Sequence, residues 1–142
     1  MKHTIPLDII ELEPQNYHIF INIEIEGNTC RMLVDTGASK TVFDADRVLR
    51  FVKADKIKPN ESKSVGLGVA DMETKVVTLR NIAMKKFTSK KMEVAILPLQ
   101  HVNTTYELLN IPLIDGVLGS DFMVKYNAVI NIGKSYLKLE TK

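Results

Sequence analysis

The chain has 142 residues, of which 45% are hydrophobic and 25% charged, with a formal net charge of +2. That length predicts one domain, residues 1–142, with a core of its own, and 19 basic against 17 acidic residues are too evenly balanced for binding nucleic acid through charge. One cysteine, Cys30, leaves no intrachain disulfide to rely on, and no apolar run is long enough for a membrane span.

Residues 1–15, MKHTIPLDIIELEPQ, carry acids and a proline where a signal peptide needs an apolar stretch, so a cytoplasmic chain is expected. In HIFINIEIE, 18–26, Ile19, Ile21, Ile23 and Ile25 share one face, and Phe20, Asn22, Glu24 and Glu26 share the other. That period of two predicts a strand. Gly27-Asn28 supplies a turn, and TCRMLV, 29–34, returns as its partner, with Cys30 as a small strand residue. The stretch MLVDTGAS, 32–39, therefore leaves the end of a hairpin strand. A short strand at 40–43 and a short helix at 44–52, capped by Asp44, come next. After a polar loop, 62–80 reads as a hairpin whose tip is loosened by Gly66 and Gly68. Residues 81–97 give one or two strands, with Lys85, Lys86, Lys90 and Lys91 on the solvated side. Residues 98–112 form an irregular connection, and 113–119 an apolar strand. SDFMVKY, 120–126, has helical spacing, and NAVINI, Gly-Lys and SYLKLE close the chain as a hairpin. Many short strands with little helix predict an all-β barrel.

Several residues invite chemistry and offer little. His3, His18 and His101 lack metal-ligand spacing, and Asn60 and Asn103 begin glycosylation-like triplets that read as plain loop. Gly66-x-Gly68 lacks the third glycine of a nucleotide loop.

Two stretches point the same way. LVDTGAS, 33–39, has the form apolar–Asp-Thr-Gly, and some eighty residues on, IDGVLGSDFM, 114–123, places two apolar residues and a glycine ahead of a short helix. Over about residues 16–140 this pair resembles the retropepsin-like, single-lobed aspartic proteases. The resemblance implies an all-β acid protease barrel, a single lobe with one short helix near the C-terminus. It implies that Asp35 is the catalytic acid or base. Thr36 braces the loop against that of another chain, and Gly37 allows a tight turn. Ala38 stays small for close packing, Ser39 contacts substrate backbone, and Val117, Leu118 and Gly119 support the loop from behind. Gly66, Leu67, Gly68 and Val69 would form the tip of a flap over a polypeptide substrate, or else an ordinary hairpin turn. Asp121 either caps the short helix or joins a hydrogen-bond network.

The chemistry needs two carboxyl groups: one takes a proton from water, the other gives one to the scissile carbonyl. Held ~3 Å apart they share one proton, and aspartic proteases are the standard case of such a pair. The chain has one Asp-Thr-Gly, and Asp44-Ala45, Asp71-Met72 and Asp115-Gly116 do not make a second. The second carboxyl is therefore expected from another copy in a twofold homodimer, with no metal or cofactor. Ser39 and Ser120 stand where retroviral relatives carry an acid and an arginine, so a different dimer contact is expected. Ala38 stands where pepsin lobes have a serine, and the flap segment lacks their tyrosine. The rival readings are a catalytically silent peptide-binding or dimerisation module, and a monomer whose Asp35 is structural.

Overall fold

The structure, a computed structural model, describes residues 1–60 and 74–141. The expected flap tip, Gly66 to Val69, lies outside the described residues.

Residues 1–15, given no structure by their sequence pattern, form two strands, β1 (Lys2–Pro6) and β2 (Asp8–Glu13). β3 (Asn16–Ile25) and β4 (Asn28–Val34) make the predicted hairpin, with Phe20 opposite Leu33 and Ile25 opposite Asn28. The turn is one residue earlier than read: Glu26 (φ 51°) and Gly27 (φ 80°) are the two loop residues. Two positive φ values in a two-residue loop match the right-handed twist of the flanking strands.

β5 (Val42–Asp44) leads into a 3-10 turn, Arg47–Arg50, where a short helix over 44–52 was expected. Asp44 is not the cap that was expected, since Asp46 holds that position; from two residues upstream its Oδ2 accepts the amides of Asp46 and Arg47 at 3.2 and 2.9 Å. A two-residue strand, β6 (Lys58–Pro59), pairs with β7 (Lys75–Met84), which turns through Lys85-Lys86 into β8 (Phe87–Leu97). All four lysines of 85–91 are exposed. β9 (Gly116–Leu118), α2 (Ser120–Lys125), β10 (Val129–Asn131) and β11 (Tyr136–Glu140) follow the predicted order.

The segment read as an irregular connection holds α1 (Gln100–Leu108). Thr, Asn and Val are weak helix formers and no side chain caps either end, so the sequence carried little signal. Tertiary contacts hold α1 instead. The Asn103 amide is buried and clamps Ile114, accepting its N–H at 2.8 Å and donating to its carbonyl at 3.0 Å. Tyr106, 1% exposed, packs edge-on against Phe20, and its hydroxyl meets His18 Nδ1 at 2.7 Å. Burial pushes the Tyr106 hydroxyl up to about 12. This outer layer explains why Phe20, which alternation placed among polar residues, is fully buried.

Strands β3, β4, β9, β5, β8 and β7 close on themselves through a β3–β7 pairing and form a six-stranded barrel. Its interior holds Ile21, Ile23, Ile25, Met32, Phe43 and Leu79, all at most 1% exposed. Each such side chain contributes roughly 1.5–3 kcal/mol of burial free energy. β2 and β6 flank the barrel, and a second sheet, in the order β1-β11-β10, packs beside it through Ile5, Leu137 and Leu139.

Candidate active site

β4 brings Asp35 to the barrel end and the next three residues fold back on it. The Asp35 amide donates to Leu118 O at 3.0 Å, the Ala38 amide to Asp35 O at 3.1 Å, and the Gly37 amide to Asp35 Oδ1 at 2.9 Å. Asp35 is thus held at three points, its backbone at two and its solvent-exposed carboxylate at one, by the Gly37 amide. Gly37 has no left-handed φ, so conformational freedom is not what the position demands. A Cβ there would sit 3.2 Å from Asp35 Oδ1 and crowd the oxygen that the amide holds.

Support from behind comes from β9, which runs parallel to β4 with Val34 beside Leu118. Where β9 ends, a Cβ on Gly119 would lie 2.8 Å from Ala38 O and 2.8 Å from Lys40 C, and the Ser120 amide donates to Ala38 O at 2.7 Å. The structure therefore brings 35–39 and 117–119 together, although eighty residues separate them. Asp121 joins a network: its Oδ1 accepts the amide and hydroxyl of buried Thr41 at 3.0 and 2.8 Å, and Thr41 Oγ1 in turn accepts the Gly119 amide at 3.0 Å. Thr36 is exposed and faces a shallow groove along α2. Ser39 is exposed and Ala38 half-buried.

Gly119→Ala should therefore push the Ala38–Lys40 backbone outward. The expected cost is about 1–3 kcal/mol of stability, with a larger proportional loss of any hydrolytic activity. Thermal unfolding and turnover of the same sample check this, and a variant matching the original in both would show that the loop tolerates the intrusion.

Sequence reasoning passed over Asp115. Its side chain is 3% exposed; Oδ1 accepts Arg47 Nε at 2.8 Å and Arg50 Nη1 at 3.0 Å, and Oδ2 accepts the Arg31 amide at 2.8 Å. One residue before β9, this carboxylate ties β4 and the 47–50 turn to the strand behind the Asp35 loop. Its signal was the spacing of Arg47 and Arg50, since residues three apart eclipse in a 3-10 turn. Cys30, fully buried beside it, has its thiol pushed far up by burial and by the Asp115 charge, which makes it inert as a nucleophile. Among the described residues, no three His, Cys, Asp or Glu side chains converge on a common metal position, and no helix is long and apolar enough to cross a membrane.

Residues 21–122 match the family described as aspartyl protease, and the chain belongs to that family. Its fold is retropepsin-like. A retropepsin-like aspartic protease from Rickettsia conorii is similar with a TM-score of 0.59 at 18% identity, over 98% of this chain and 92% of that one. The retroviral protease-like domain of Ddi1 from Leishmania major gives 0.57 at 12% identity, over 87% and 88%. EIAV protease, in complex with the inhibitor HBY-793, gives 0.50 at 19% identity, over 75% and 85%. No match was found among curated proteins.

Proposed function

We propose that this chain is a single-domain aspartic endopeptidase, active as a homodimer in which Asp35 of each copy supplies half of a catalytic pair. The observation that carries this reading is the exposed Asp35 carboxylate at the centre of a backbone-held Asp-Thr-Gly loop. Family membership supports peptide hydrolysis as the reaction. One carboxylate takes a proton from the attacking water while the carboxylic acid beside it protonates the scissile carbonyl oxygen. No covalent intermediate and no cofactor enter.

In this reading Thr36 braces the two loops against each other, while Gly37 and Ala38 keep the loop tight. Ser39 and the tip Gly66, Leu67, Gly68 and Val69 contact an extended polypeptide, which pairs with the protein as an added strand. Val117, Leu118 and Gly119 hold the loop in place. The reading includes a cytoplasmic setting.

Incubation with a mixed peptide library from pH 3 to 8, with and without a transition-state-mimicking aspartic protease inhibitor, tests it. Inhibitor-sensitive endoproteolysis favouring mildly acidic pH is expected. Peptide retention without cleavage at any pH would instead mark a silent binding module.

A further inference from the structure

We propose that the outer wall of the barrel, along β7 and β8, carries a cationic groove that binds an acidic stretch of polypeptide. None of residues 35–39 lines it, so the inference does not depend on what Asp35 does.

The β7–β8 pairing sets two cations side by side, with Arg80 directly opposite Lys91. Both are exposed, on the outer face, while Leu79 next to Arg80 is buried in the barrel. Like charges directly opposite one another destabilise a strand pair. Glu93, two residues along β8, does not relieve this pair, because it reaches Lys40 at 3.6 Å instead. Lys125, on α2, lines the same cleft, of about 380 Å³.

A second cleft, of about 560 Å³, meets the first at Thr78, Arg80 and Glu93 and adds Lys53, Lys56 and Lys58. The other carboxylates along the two clefts have partners of their own. Glu26 accepts Asn81 Nδ2 at 2.9 Å, and Asp121 Oδ1 accepts the amide and hydroxyl of Thr41. Lys53, Lys56, Lys58, Arg80, Lys91 and Lys125 enter no ion pair among the described residues. A chain with a net charge of only +2 has thus gathered unpaired positive charge along one concave wall, where it attracts anions.

The length of the groove and its aromatic residues decide the occupant. Lys58 lies beside Val76, and Arg80 is four residues further along β7, roughly 13 Å. A single small anion does not span that distance; an extended chain with several carboxylates does. Single-stranded nucleic acid would want free rings for its bases to stack on. Phe51 and Phe122 are 8% and 3% exposed, and the Tyr126 ring is already packed edge-on against Phe87 at 4.8 Å. An acidic polypeptide needs only the cations.

The test is calorimetric titration of the full chain with a short Glu-rich peptide, the same peptide with Gln for every Glu, and oligothymidylate. Melting temperature is measured on the same samples. The Glu peptide should bind, more weakly as salt rises, and the other two should not match it. Lys91→Glu and Lys58→Glu, one in each cleft, should each weaken binding at least about tenfold. Lys134→Glu, exposed in the β10–β11 turn and outside both clefts, should leave it unchanged. Lys91→Glu should also melt about 1–4 °C higher, because it replaces a repulsive pair with an attractive one. A structural role for Lys91 would instead lower melting. The proposal is overturned by equal binding of the Gln peptide, by tighter binding of oligothymidylate, or by no binding of the Glu peptide. It is also overturned if Lys58→Glu binds as the original does, or if Lys91→Glu melts no higher.

Discussion

Asp35→Asn is expected to lower peptide hydrolysis by about 10²–10⁴-fold, the usual share of a positioned general acid–base group. The fold should be untouched. Asp35 is exposed, and an asparagine oxygen accepts the Gly37 amide as the carboxylate does at 2.9 Å. Stability should stay within ~0.5 kcal/mol of the original, as for other surface substitutions. Activity and thermal melting on one preparation separate the cases. Lost cleavage with unchanged melting is the signature of chemistry, whereas retained cleavage would remove Asp35 from the reaction.

Asp115→Ala should be the most destabilising single change at the site, at about 3 kcal/mol, or roughly 10 °C in melting temperature. It deletes the acceptor of the Arg31 amide and the anion facing two guanidiniums. The figure lies at the low end for a broken buried pair because Arg47 and Arg50, 27% and 54% exposed, regain water. The reverse experiment is harsher. Removing both arginines strands a carboxylate that is 3% exposed, so Arg47→Ala with Arg50→Ala should cost at least as much. Arg50→Ala alone, at the exposed end of the pair, should cost no more than ~1 kcal/mol. Calorimetry ranks the three. An Asp115→Ala protein melting within two or three degrees of the original would mean that the pair contributes little, about 1 kcal/mol or less.

What the sequence made legible follows from range. The β3–β4 hairpin was readable because alternation of four isoleucines and a glycine turn are local signals. The Asp-Thr-Gly loop and its support were readable because each half is a distinct short pattern; their contact, through Asp35 N to Leu118 O, is what the structure adds. α1 was not readable, since Asn103 and Tyr106 stabilise it only through Ile114 and Phe20, elsewhere in the chain. Burial of Phe20 was missed for the same reason. Asp115 looked like an unremarkable Asp-Gly until the 47–50 turn brought two arginines to it.

The pairing of β1 with β11 sets Lys2 opposite Glu140 and Ile5 opposite Leu137. Among the described residues, β11 is also the sole neighbour of β10 in that sheet. During synthesis, then, residues 2–6 and 129–131 have no ladder to join until 136–140 leave the ribosome. Contacts so distant along the chain form slowly, so the barrel should emerge first and stay kinetically vulnerable, with Leu137 and Leu139 the last plugs of its core.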